Sequence, residues 1–369
     1  MRRKSSQGAG SASGTPGPSW HAELPDSAAS VQQSVHRPLV GVATFAGPVL
    51  FFNPVTGAVA HQSAGHPGGA LAIAFSPSSS LVATGGQDGR LHLFNPGEQG
   101  PSLQIRAGKD PVSHLAWSPR GDVVAAACGR TVRFYSPTGD LLGECADHAS
   151  TVTSLGYHDA GEGWLSACYG GVFLLSRATL QRERCFFART SVLVAASSPC
   201  GRYIAAGAQD PVVRLWDLEG PDEPVHLEGY KGKVASLAWS AESTVLATAS
   251  GASVVLWSFA GGNAHEAPHV ELAGHTRRVS AVRFLQQRRA LWTASADGHL
   301  RLFDLMKSTA PALEIDTGAP VSVIEPSSAG DGVLAAGTDG SLRAWSHSFA
   351  AEVAPKRRKR TRAEGHPSS

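Results

Sequence analysis

The sequence predicts an all-β chain assembled from eight copies of one small sheet, and three observations carry that prediction. First, a hydrophobic run ending in an aromatic residue or leucine, then a small polar or acidic residue, returns every 40 to 46 residues. The endings are Phe52-Asn53, Phe94-Asn95, Tyr135-Ser136, Leu175-Ser176, Trp216-Asp217, Trp257-Ser258, Phe303-Asp304 and Trp345-Ser346. Second, short β-branched and aromatic runs alternate with Gly, Pro, Asn and Asp turns between those endings. Third, 41 Gly and 23 Pro supply many tight turns and leave little room for helices. A period of this length marks a unit that cannot bury its apolar faces unless neighbours stack on it.

The first copy has two strands between Leu39 and Asn53. Its innermost strand would be Val31-Gln32-Gln33-Ser34-Val35, which is polar. It lacks the Val-x-x-Leu-x-aromatic pattern of Val112-Ser113-His114-Leu115-Ala116-Trp117 and Val234-Ala235-Ser236-Leu237-Ala238-Trp239. Eight units are favoured because Phe52 to Phe94 is a full period of 42, with seven as the alternative. The second and third copies run Leu71 to Asn95 and Val112 to Ser136, and the fourth ends at Leu175-Ser176. In the fifth, Val192-Leu193-Val194-Ala195 is a strand, Ser198-Pro199-Cys200-Gly201 a turn, Arg202-Tyr203-Ile204-Ala205-Ala206 a second strand, Gln209-Asp210-Pro211 a tight turn and Val212 to Asp217 a third strand. With a connecting strand to the next copy, each unit becomes a four-stranded antiparallel sheet. Copies six and seven repeat the order from Val234 to Ser258 and Val279 to Asp304. The insert Gly261-Gly262-Asn263-Ala264 accounts for the one interval of 46. Closure would come from Trp20-His21-Ala22-Glu23-Leu24 joining the last unit, or from Phe349 to Val353 extending it.

These residues resemble the WD40-repeat proteins, whose units open near Gly-His and close on Trp-Asp. Gly65-His66 and Gly274-His275 match the opening, and Trp216-Asp217 matches the close. The resemblance implies a β-propeller of eight blades over residues 18–353, between disordered tails at 1–17 and 354–369. It also implies a hydrogen-bond network of His, Ser or Thr, Asp and Trp within each blade. Its members here would be His66, Thr84 and Asp88 in the second copy, His275, Thr293 and Asp297 in the seventh, and Asp210 and Trp216 in the fifth. No copy holds all four types. His66 and His275 therefore read as scaffold and not as metal ligands or general bases.

Lys and Arg number 32 against 30 Asp and Glu, a net +2. Residues 355 to 369 carry +5 of this and the first 17 residues +3, which leaves −6 on the body. An acidic body argues against nucleic-acid binding by the ring, since phosphate contacts need a concentrated basic face. The tail Lys356-Arg357-Arg358-Lys359-Arg360 has the form of a nuclear localisation signal, so an import receptor is an expected partner in a eukaryotic host, with nuclear or nucleocytoplasmic location; otherwise the chain is expected in the cytoplasm. No apolar run approaches a membrane span. The five cysteines, Cys128, Cys145, Cys168, Cys185 and Cys200, show no Cys-x-x-Cys spacing and read as reduced thiols of an intracellular chain.

No phosphate loop, nucleophile elbow or His-Glu-x-x-His helix is present, so neither catalysis nor a cofactor or bound metal is expected. The expectation is a non-catalytic scaffold that binds proteins or peptides through loops at one end of the ring. Lys109, Arg189, Lys231, Lys233, Arg277 and Arg278 fall beside the Gly-His register and would suit an acidic or phosphorylated partner. As an alternative, Tyr169-Gly170-Gly171-Val172, Ser198 to Tyr203, Gly229 to Val234 and Val255 to Phe259 resemble WD40 proteins that bacteria encode beside CobW-type metal-chaperone GTPases. That resemblance implies an accessory role in zinc homeostasis.

Overall fold

The structure is a computed structural model, and it describes residues 17–98, 103–158, 163–261, 267–285 and 288–346. Among these residues there is no α-helix, and thirty strands form antiparallel sheets arranged in a ring. Each ending named above closes a strand, from Val49–Phe52 in the first copy to Ser341–Ser346 in the last. The innermost strands lie side by side round the ring, and Ala28–Gln33 packs against Val321–Pro326 to complete it.

The expected count of eight blades is corrected to seven, a blade being one hydrogen-bonded sheet. Six sheets have four strands and one has six. The wide sheet spans the fourth and fifth copies. Its strand Arg182–Ser197 pairs through its first half with Gly163–Ser176 and through its second half with Tyr203–Ala208. Between Arg182 and Ser197 there is no Gly or Pro to break the extended backbone, whereas the matching link before the second copy reads Gly65-His66-Pro67-Gly68-Gly69. Strand Gly163–Ser176 doubles back at Gly170 (φ 98°) and Gly171 (φ 156°), so that Ser154–His158 takes its first half.

The second strands are buried from end to end, as in Val40–Thr44, Val124–Cys128, Tyr203–Ala208 and Gly332–Gly337, save that in the sixth copy Val245 at the strand's start is half-buried. Such a strand is sandwiched by neighbouring sheets on both faces, so it shows no polar alternation and favours small residues. At Gly207 an added Cβ would lie 2.6 Å from the Val234 carbonyl of the next sheet. Outer strands are solvated and polar, as in Val59–Ser63 and Leu103–Arg106. Apolar clusters fill the spaces between sheets: Trp292, Leu300 and Ile315 pack with Ile324, Val333 and Trp345 across one such space. Tryptophans at strand ends tie neighbours by hydrogen bonds. Trp117 Nε1 donates to the Ala74 carbonyl at 3.0 Å, and Trp164 Nε1 to that of Ala116 at 3.2 Å.

Of the two closures expected, the first is seen. Trp20–Glu23 pairs with Ser341–Ser346, Trp20 opposite Ala344 and Glu23 opposite Ser341. Trp20 then reaches back to the first sheet, donating its indole N–H to the Pro54 carbonyl at 2.8 Å and stacking on Phe52 at 6.3 Å. Phe349 to Val353 and the basic residues Lys356 to Arg360 lie outside the described residues.

Candidate functional site

Two sets of loops crowd one end of the ring: the links that lead into innermost strands, and the turns between second and third strands. Hydrogen bonds join them. His66 Nδ1 lies 2.9 Å from Asp88 Oδ1, and its Nε2 3.0 Å from Thr84 Oγ1. A carboxylate only accepts, so Nδ1 carries the proton and Thr84 donates to Nε2. In the seventh copy His275 sits 3.1 Å from Asp297 and 2.7 Å from Thr293. Burial pushes both imidazoles below their ordinary pKa despite the carboxylates beside them. Burial works to raise the Asp297 carboxyl, but hydrogen bonds from the Thr276 N–H, His275 and the His299 N–H outweigh it and hold the group well below the usual range. In the fifth copy Asp210 meets no histidine among the described residues. Its carboxylate bonds to Arg214 at 2.6 Å, which lowers its pKa, while Trp216 is buried against Phe186.

Two further networks went unread in the sequence. His148 Nε2 bonds Ser166 Oγ at 2.8 Å in the fourth copy. In the sixth copy Tyr230 stands where histidine was expected: Trp257 Nε1 donates to its hydroxyl at 2.7 Å, and that hydroxyl lies 2.7 Å from Thr248 Oγ1. Thr248 in turn donates to the Val255 carbonyl, so the Tyr230 hydroxyl is the donor to Thr248. A signal existed. The hydroxyl residue follows the ring residue by 18 positions in all four networks.

Lys109, Lys231, Lys233, Arg277 and Arg278 are exposed and lie in links to innermost strands at this end of the ring. Arg189 is exposed as well but belongs to the long strand Arg182–Ser197 and not to a loop. Among the described residues, none of the six is in an ion pair. Exposed aromatics accompany them, which the sequence reading did not single out. Tyr169 is 55% exposed, Phe187 75% and Phe45 47%. Tyr169 pairs with Ser191 and Phe187 with Gly171 across the wide sheet, which sets both beside Arg189. These rings have no apolar partner that withdraws them from water, and rigid aromatics beside arginines are the residues that dominate protein interfaces.

The family model for the WD domain, G-beta repeat, matches residues 58–95, 100–136, 183–217 and 223–258. Pre-mRNA-processing factor 19 homolog 2 of Arabidopsis thaliana is 28% identical over 193 residues, 49% of this chain and 36% of that protein. Nuclear distribution protein nudF of Aspergillus niger is 29% identical over 170 residues, 45% of this chain and 38% of that protein. The chain thus spans little more than a third of the length of these relatives. Among solved structures, the computationally designed protein Ika8 superposes with a TM-score of 0.74 at 19% identity, covering 88% of this chain and 98% of that one, a likeness of fold alone. No helix among the described residues is long and apolar enough to cross a membrane. With four matched repeats set in a ring of antiparallel sheets, the chain is a WD40-repeat β-propeller.

Proposed function

We propose that this propeller is a scaffold that binds an acidic or phosphorylated segment of a partner protein across the end of the ring that carries the Gly-His links. The observation that carries this reading is the set of exposed cations that make no ion pair among the described residues, one of which, Arg189, lies beside exposed Tyr169 and Phe187. Arg and Lys on a rim steer an acidic partner and fix its register, and an aromatic supplies the buried anchor. A WD40 propeller suits the task because its loops vary while the sheets beneath hold them still.

The test is an affinity purification of the full chain with Lys231→Glu, Arg277→Glu and Arg278→Glu combined, beside a Tyr169→Ala/Phe187→Ala variant. The charge variant is expected to lose its wild-type partners while keeping the wild-type melting temperature, because surface charges far from buried pairs contribute little to stability. The aromatic variant is expected to weaken the same partners. An unchanged partner set in both variants refutes the reading. In a eukaryotic host, we add that the tail Lys356 to Arg360 engages an import receptor. No observation favours the alternative association with a CobW-type GTPase.

A further inference from the structure

The turn between second and third strands carries an aspartate in four copies, and the residue four positions later faces it from the third strand. In three copies that residue is arginine and the two form an ion pair: Asp210 with Arg214 at 2.6 Å, Asp297 with Arg301 at 3.1 Å, and Asp339 with Arg343 at 3.6 Å. In the second copy the aspartate is Asp88 and the facing residue is His92. The carboxylate is there, but the guanidinium is not.

The consequence appears in the hydrogen bonding. Asp88 Oδ1 accepts from His66 and from the Arg90 N–H, whereas Asp88 Oδ2 is buried with no hydrogen-bond partner among the described residues. His92 is 4% exposed, and its Nε2 is likewise buried with no partner. Two orphaned polar atoms on neighbouring side chains are costly, and native structures rarely keep them so. The ring of His66 stacks on that of His92 at 4.0 Å. One donor atom from each of His66, Asp88 and His92 lies within 4.8 Å of the other two.

We propose that His66, Asp88 and His92 form a binding site for one divalent transition cation of the zinc(II) type, which takes the place that arginine occupies in the sister copies. Two imidazoles and one carboxylate are a donor set that zinc(II) favours, with a fourth position left for water. His92 would bind through Nε2 and Asp88 through Oδ2, the two atoms now without partners. His66 would move its proton from Nδ1 to Nε2, where Thr84 Oγ1 accepts it, and turn its Nδ1 lone pair to the ion. Thr84 then does what outer-shell partners of zinc-bound histidines do, holding the ring by its second nitrogen. The stacked rings must fan apart, since a metal lies in the plane of each ring it binds. Asp88, 12% exposed at its side chain, gives an ion a way in from the surface. The cluster Cys145, Asp147 and His148 also has donors in reach. It lacks this argument, because Cys145 donates to Asp147 and His148 bonds Ser166.

The experiment strips the full chain with a chelator and titrates zinc(II) against a chromophoric competitor, with cobalt(II) absorption as a second readout of tetrahedral nitrogen and oxygen ligation. Wild-type chain is expected to take up one ion that raises its melting temperature. His92→Arg, which installs the guanidinium of the sister copies, is expected to keep the fold and weaken zinc binding by about tenfold or more, the low end for loss of a group that supports a metal site. Cys145→Ala/His148→Ala is expected to bind as wild type. Should His92→Arg fail to fold, His92→Ala must lose the zinc-dependent rise in melting temperature. Equal zinc binding by either His92 variant and wild type overturns the proposal. So does a wild-type chain whose melting temperature zinc does not change, since water would then fill the gap.

Discussion

Tyr230→Phe removes one oxygen from the sixth copy and leaves two groups short of a partner. Trp257 Nε1 donates only to that hydroxyl among the described residues, and the indole is 6% exposed. Thr248 keeps its own donation to the Val255 carbonyl, so its loss is smaller. An orphaned buried donor costs about 1–3 kcal/mol, and the tryptophan N–H should account for most of that. The cost should vanish if the orphan is removed too. Tyr230→Phe in a Trp257→Phe background is therefore expected to cost at least about 1 kcal/mol less than in wild type, a coupling typical of residues in one hydrogen-bond network. Urea denaturation of the four proteins of this cycle measures the coupling. Hydrogen exchange at the Trp257 indole should also quicken in the single variant. A cycle that closes within about 0.3 kcal/mol, with indole exchange unchanged, would refute the chain from Trp257 through Tyr230 to Thr248.

Trp20→Ala takes a buried indole from the seam between the last and first sheets, together with its bond to Pro54. It is expected to cost about 3–5 kcal/mol by denaturation and to expose residues 19–24 to protease; a loss under about 1 kcal/mol would show that the seam does not depend on it. Burial lowers His114 to about 4, below an unfolded value near 6.5. As the pH falls, the unfolded chain takes up the proton first, so stability that is complete above about pH 6.5 is lost toward pH 4. His114→Asn should flatten the fall of melting temperature between about pH 7 and pH 5, and an unchanged slope would assign it to other groups. Residues 354–369 fused to a fluorescent reporter should concentrate it in the nucleus of a eukaryotic cell, and Lys356→Ala, Arg357→Ala and Arg358→Ala together should abolish this. Equal distribution of both fusions refutes the signal.

The repeat was legible because each strand ending bears on packing: an aromatic residue or leucine fills the space between sheets and the polar residue after it begins a turn. The blade count was not. Counting endings treats each copy as a separate sheet, but the strand Arg182–Ser197 runs unbroken from the fourth copy into the fifth and pairs with both. The networks were legible where Gly-His was intact, at His66 and His275. They were missed at Tyr230 and His148, because one replaces the imidazole with a phenol and the other follows an aspartate where glycine was expected. Exposed Tyr169 and Phe187 were hidden for another reason. A strand of alternating residues does not reveal which of its aromatics lacks a neighbour until the adjoining sheet is in place.

The bond between Ser19 and Ser346 joins atoms 327 residues apart in the chain. On a ribosome, strand Trp20–Glu23 emerges well before its mate Ser341–Ser346, with all the other described strands synthesised between them. The unmated segment carries backbone donors and acceptors that could pair with any passing strand edge for the whole of that interval. Contacts of such span also slow folding, since the long loop must close before the pairing rewards it. The slow step in closing this ring should therefore be the docking of strand Trp20–Glu23, and a nascent-chain protease footprint over residues 19–24 should persist until Ser346 has left the exit tunnel.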